Sequence, residues 1–336
     1  MKMNFILFII MSALIGLTFN KSGLIAQDKK PEIIEVRKIW DQGKHNAFTD
    51  LIRFHDKWFC TFRESDSHAP VKTNNEDGKI RIITSTDGIT WESAGLLKEE
   101  GIDLRDPKLS ITADDRLMVI MGGSTYVPDT SKPGEKIRVA MHSRVAFSPE
   151  GKNWTNPQKI KGKGLKENDT WLWRVTWHNG KAYGFTKDPA ILWRSADGIT
   201  YEPLSDALNA GDEVTVRFLP DDEMMALFRI PGAIGTSKPP YNIWDIHLTS
   251  LKQIGGPNFI ILPYGQIWGG GRNARSKTVL AKMTKDSFDQ VLELPCGGDT
   301  SYPGFILYNG LLWMSYYSSH EEKTSIYLAK IKMPEE

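Results

Sequence analysis

Ser85-Thr86-Asp87-Gly88-Ile89-Thr90-Trp91, Ser148-Pro149-Glu150-Gly151-Lys152-Asn153-Trp154 and Ser195-Ala196-Asp197-Gly198-Ile199-Thr200-Tyr201 share one form, Ser-x-(Asp/Glu)-Gly-x-x-aromatic. Each closes a run of strand-forming residues, at 79–83, 139–147 and 190–194. The acidic side chain can accept hydrogen bonds from turn N–H groups, the glycine supplies positive φ, and the aromatic packs back beneath the turn. One such turn between strands carries little information. Three in register predict a repeat architecture.

Outward from these turns, six strand-rich units can be counted, at 45–93, 104–155, 170–203, 213–251, 257–294 and 298–332, the second with a polar insertion at 128–136. Most open on an apolar run and reverse at a polar pair: Asp56-Lys57, Asp114-Asp115, Asn179-Gly180, Asp221-Asp222 or Asn309-Gly310. Units of roughly 35–50 residues suit four antiparallel strands each. The expectation is an all-β chain with little helix, a single domain over 45–336 and a lead-in over 27–44.

The 336 residues carry a net charge of +1 and no basic run, which argues against a nucleic-acid partner. Eleven Trp and 29 Gly fit a turn-rich β protein with a surface able to stack on sugars. Lys2 followed by the apolar run 5–17 reads as a secretory signal over 1–26, cut between Ala26 and Gln27. An uncleaved anchor is the alternative. The expected location is secreted or periplasmic, with no membrane span once the signal is removed. Cys60 and Cys296 can form a disulfide or remain two buried thiols. No Cys/His spacing suggests a metal, and no cofactor is expected.

The three turns resemble the Asp-box (BNR) repeat of the sialidase superfamily. The resemblance implies a six-bladed β-propeller, with these turns on the outside, away from the active site. Inner-strand ends would then ring one mouth of a central channel. The polar residues opening the units are His45 and Asp50, Arg105 and Asp106, Trp173 and Arg174, Glu213, Arg272 and Asn273, and Asp299, Ser301 and Tyr302. Arg63, Glu64, His68, Arg229 and His320, after second strands, can reach the same mouth. Arginines set in apolar strand runs need partners or a ligand, so they either line an anionic pocket or form ion pairs between blades.

Position by position, Glu213 and Arg229 look like the sialidase middle-blade pair and Arg272 like the next arginine. Tyr302, within Gly298-Asp299-Thr300-Ser301-Tyr302-Pro303-Gly304, looks like the nucleophile. A carboxylate beside a phenol can take its proton, and sialidases stand apart among glycosidases in using tyrosine this way. Two departures stand out. The first unit has Asn46-Ala47-Phe48-Thr49-Asp50-Leu51 where sialidases have Arg-Ile-Pro, and the acid/base position offers Asp66 or His68. The resemblance implies Tyr302, Glu213, His68 and Asp66 as catalytic residues. It implies Arg63, Arg105, Asp106, Arg174, Arg229, Arg272, Trp173 and Asp299 as substrate-binding, with an acidic-sugar glycan as partner. Two other readings stay open: a lyase acting on uronate through His and Tyr, and a non-catalytic glycan-binding propeller in which Trp173 and Trp268 stack on sugar.

Overall fold

Period-two alternation of apolar residues is realised as twenty-five strands in the computed structural model, which describes residues 30–334 and contains no helix among them. The expected signal over 1–26 lies outside these residues, as do residues 27–29 of the lead-in. In chain order, β1 (Glu32–Trp40) stands first. A four-stranded sheet follows, β2 (His45–Phe54), β3 (Lys57–Ser65), β4 (Lys79–Ser85) and β5 (Glu92–Leu97). The second sheet holds β6 (Asp103–Ile111), β7 (Leu117–Pro128), β8 (Lys136–Ser148), β9 (Gln158–Lys159) and β10 (Asp169–Thr170). The third comprises β11 (Thr176–His178), β12 (Lys181–Phe185), β13 (Leu192–Ser195) and β14 (Tyr201–Pro203). The fourth comprises β15 (Gly211–Phe218), β16 (Met224–Ile230), β17 (Ala233–Ser237) and β18 (Asp245–Leu248). The fifth is β19 (Gly255–Ile261), β20 (Ile267–Arg272), β21 (Thr278–Met283) and β22 (Phe288–Glu293). The chain ends with β23 (Thr300–Tyr308), β24 (Leu311–Ser318) and β25 (Ser325–Lys332).

The first strands of the six sheets touch in a closed circuit: β2 meets β6, β6 meets β11, and so on through β15, β19 and β23 back to β2. The lead-in was expected ahead of the repeats. The structure instead makes residues 32–40 the outer strand of the last sheet, pairing β1 antiparallel to β25 from Glu32↔Lys332 to Trp40↔Ile326. Ile33 and Val36 pack on that sheet's core, and the pairing covers an edge that β25 would otherwise leave open. The insertion over 128–136 is the tip of a long β7–β8 hairpin.

Register fixes which end of the ring each turn occupies. Arg53 near the end of β2 pairs with Trp58, and Trp58 with Ser85, so the Ser85–Trp91 turn stands at the end opposite His45. The same chain of pairs, from Ile111 to Leu117 to Ser148, puts the second turn at that end, and Trp177, Ala182 and Ser195 do so for the third. Asp87 Oδ1 accepts from the N–H groups of Ile89 (2.7 Å) and Thr90 (2.9 Å), and Ser85 Oγ accepts from Gly88 N–H. Asp197 and Ser195 repeat this pattern. The aromatics differ: Tyr201 is buried, whereas Trp91 and Trp154 are only partly so.

Each turn glycine also docks on the preceding sheet. A Cβ on Gly88 would meet Trp313, one on Gly198 would meet Met118, and one on Gly151 would lie 2.3 Å from the Phe59 ring. Gly151 (φ 83°) and Gly134 (φ 84°) share a left-handed backbone, but a Cβ on Gly134 meets nothing within 4 Å. Gly134→Ala should therefore cost about 1–2 kcal/mol from backbone strain alone. Gly151→Ala should cost about 1–3 kcal/mol more, from overpacking against Phe59. Denaturant unfolding of the two variants measures the difference, and equal losses would mean that the turn does not lock the sheets together. Cys60 and Cys296 are both buried and free, so no disulfide links the first and last sheets.

Candidate functional site

Five of the six first strands carry a register shift near the same end, and each shift contains one left-handed residue. These are Phe48 (67°), Asp106 (52°), Asp212 (64°), Gly256 (63°) and Tyr302 (55°). Only Gly256 adopts such a φ without strain. The others sit in bulges, which break the pleat and re-aim side chains. Together they gather an aromatic and acidic cluster at the end of the ring away from the Ser-x-Asp-Gly turns.

Tyr302 and Glu213 form its centre. The Tyr302 hydroxyl donates to Glu213 Oε1 at 2.6 Å. Arg229 Nη1 donates to the same oxygen at 2.6 Å, Lys187 Nζ lies 3.6 Å away, and Gly256 N–H donates to Oε2 at 2.7 Å. A Cβ on Gly256 would lie 2.6 Å from the Tyr302 ring, so glycine is needed for that approach. Burial works to raise the Glu213 pKa, but Lys187, Arg229 and the bonds from Tyr302 and Gly256 outweigh it and hold the carboxyl ionised. Burial, then the negative charge of Glu213, pushes the Tyr302 phenol well above its ordinary value. At rest the pair is a neutral phenol hydrogen-bonded to a carboxylate.

Asp299 anchors a second cluster. Its Oδ2 lies 3.1 Å from His45 Nε2 and 2.6 Å from His68 Nδ1, and its Oδ1 accepts from the Tyr317 hydroxyl at 2.9 Å. Arg272 Nη1 is 3.6 Å from Oδ1. Burial opposes ionisation of Asp299, yet the two histidines and Tyr317 hold it well below the usual carboxylate range. Phe48 joins the two clusters, its ring centroid 5.1 Å from that of His68 and 5.0 Å from that of Tyr302. Among the described residues, His45, His68 and Asp299 present ligand atoms within 4.8 Å of one another, the one grouping that could hold a metal ion. Beside Lys187 and Asp212 a cleft of about 610 Å³ opens, lined also by Arg138, Met141, Trp171 and Leu208.

Several residues expected at the mouth lie elsewhere. Arg63 is fully buried, with Nε and Nη2 on Asp103 Oδ1 and Nη1 on the Ser67 carbonyl, so all three of its nitrogens are held inside the protein. Arg174 is 3% exposed and donates to Asp50 Oδ2 deeper in the ring. Trp173 and Trp268 are buried, so neither can stack on sugar; Trp173 instead packs edge-on to Tyr302. Asp66 is taken up within its own loop by Ser67, Asn75 and the Glu76 N–H. The alternative of ion pairs between blades is thus realised at Arg63–Asp103, between the adjacent first and second sheets, and at Arg174–Asp50, which crosses the ring from the third sheet to the first. Arg105, Asp106, Arg229, Arg272, His68 and Asp299 do gather around Tyr302 and Phe48. Arg105 lies over the Phe48 ring, 3.6 Å from Asp106, and its buried Nε has no hydrogen-bond acceptor.

No protein-family model and no curated protein matches the sequence. Solved structures do. A protein of unknown function from Dyadobacter fermentans aligns over 90% of this chain and 99% of its own, with a TM-score of 0.74 at 16% identity. Trypanosoma rangeli sialidase in complex with the inhibitor DANA aligns over 86% of this chain and 55% of its own, at 0.64 and 11%. The α-L-arabinofuranosidase Arb93A from Fusarium graminearum, in complex with an iminosugar inhibitor, aligns over 89% and 98%, at 0.62 and 14%. The chain has the sialidase-like propeller fold.

On this propeller, reasoning from sequence missed two contributors to the Tyr302–Glu213 centre, Lys187 and Asp212. Lys187 pairs with Asp212 at 2.7 Å and stands over the Trp171 ring at 4.0 Å. It comes just after the second strand of its sheet, near the strand end where Arg63 and Arg229 sit in theirs, and that positional rule could have found it. Asp212 adjoins Glu213 and lies 3.2 Å from Arg229 Nε. Phe48, the bridging ring, carries no polar signal at all.

Proposed function

We propose that this six-bladed propeller is a secreted or periplasmic, exo-acting glycoside hydrolase that cleaves an acidic sugar, sialic or uronic, from a glycan. The observation that carries the reading is the 2.6 Å hydrogen bond from Tyr302 to an ionised, buried Glu213. As Tyr302 Oη attacks the anomeric carbon, its proton passes to Glu213 and the glycosidic C–O bond breaks. His68, half-exposed and oriented through Asp299, donates the proton that the leaving oxygen requires. Water then attacks the glycosyl-tyrosine, the phenolate oxygen leaves and recovers a proton from Glu213, and His68 takes the water's proton. Glycosidases among the structural neighbours support the reading. Product analysis on a panel of sialosides and uronate-bearing glycans tests it. Turnover of none of them, with binding intact, would leave a glycan-binding propeller.

The carboxylate of the substrate would face Arg105, Arg229 and Arg272. If Arg229 contributes a bidentate fork, Arg229→Lys keeps the charge and loses the geometry. KM for the acid should rise at least about tenfold, and methyl esterification should cost wild type a similar factor and the variant little more. Wild type that handles ester and acid equally would end the carboxylate assignment.

One observation favours a second reading. His68, Phe48 and Tyr302 lie side by side, and a lyase could use histidine and tyrosine as base and acid on a uronate. Its product would carry a new double bond absorbing in the near ultraviolet, which a hydrolase product lacks.

A further inference from the structure

Beyond the mouth, the central channel holds an imbalance of charge, carried by a buried Arg174 and a partly buried Arg217. A cavity of about 360 Å³ lies among later residues of the same first strands, toward the end that carries the Ser-x-Asp-Gly turns, and Asp50, Arg174, Thr176, Trp177, Arg217 and Asn258 line it. Asp50 is its sole carboxylate. Asp50 Oδ2 accepts from Arg174 Nη1 at 2.8 Å and from Leu109 N–H at 2.9 Å. Arg174 is 3% exposed, and its buried Nε has no acceptor. Arg217 donates only to neutral oxygens: Thr176 Oγ1 (3.0 Å), the Val216 carbonyl (2.8 Å) and Asn258 Oδ1 (2.8 Å). Two guanidinium groups therefore face one carboxylate.

An uncompensated charge is costly where water is scarce, and here Arg217 has only neutral acceptors while Arg174 takes the one carboxylate. Burial, and then the repulsion of Arg174, depress Arg217 to about 9, a cost that a nearby negative charge would relieve. We infer that this cavity binds a small monovalent anion between Arg174 and Arg217. Such an ion would offset the repulsion between the two arginines and brace the centre of the ring. The inference does not depend on the glycosidase reading, because the cavity is separate from Tyr302 and Glu213.

Bromide is the probe. Wild-type crystals soaked in sodium bromide should show an anomalous peak inside the cavity. In solution, the melting temperature should rise saturably as bromide replaces gluconate at constant ionic strength. Arg217→Met should flatten that response, while Arg194→Met, which removes a surface arginine of the third sheet, should leave it intact. No peak in the cavity, peaks only at surface arginines, or parallel melting curves for wild type and Arg217→Met would overturn the inference. Should Arg217→Met fail to fold, the soaked wild-type crystal decides alone.

Discussion

Tyr302→Phe should abolish turnover to within the background of the assay while leaving the melting temperature close to that of wild type. The substitution removes one oxygen from a ring packed between Phe48, Trp173 and Tyr317, so the packing survives. Its energetic side effect is confined to Glu213, which keeps Arg229 and the Gly256 N–H. Glu213→Gln should cost about 10²–10⁴-fold in kcat, the usual range for a lost proton acceptor. The double variant should be little worse than Tyr302→Phe, because the two groups act as one unit. Single-turnover assays with an activated aryl glycoside measure all three. Losses that multiply would mean that Tyr302 and Glu213 work independently, and retained activity in Tyr302→Phe would remove the tyrosine mechanism.

The largest stability effect should come from a residue outside the chemistry. Arg63→Met should destabilise the protein by about 3–5 kcal/mol, because it leaves the buried Asp103 without its hydrogen-bonded cation, with only Arg105 3.8 Å away. Both side chains are fully buried, and Asp103 Oδ1 is shared by Arg63 and the Gly78 N–H. The double change Arg63→Met with Asp103→Leu should recover much of the loss, since neither charge then remains. Urea unfolding of the three variants measures this. A single variant as stable as wild type would show that solvent reaches the pair.

What the sequence disclosed followed the range of the interactions involved. The Ser-x-Asp-Gly turns were legible because Asp87 and Asp197 bond N–H groups two and three residues away. The six units were legible because alternation and turn pairs are local. The Tyr302–Glu213 contact spans 89 residues and was reached only through family resemblance. Burial was the weak point. Arg63, Arg174 and Trp173 stand at the expected ends of strands, but whether such a side chain faces solvent or another sheet depends on partners 40 or more residues away, as Asp103 and Asp50 show. The left-handed bulge residues Phe48 and Tyr302 gave no sign, because neither is a residue type that marks positive φ.

The pairing of β1 with β25 also constrains when this molecule can exist. Residues 32–40 are among the first described residues to be synthesised, and their partners at 326–332 among the last. The ring therefore cannot shut on a growing chain. Until residue 332 is free, the last sheet lacks β25, and β1 has no neighbour to hold it. Closing so long a loop is slow but adds little to the equilibrium cost, because the entropy grows only with the logarithm of length. The nascent polypeptide is thus kept open along one seam until residue 332 has been made.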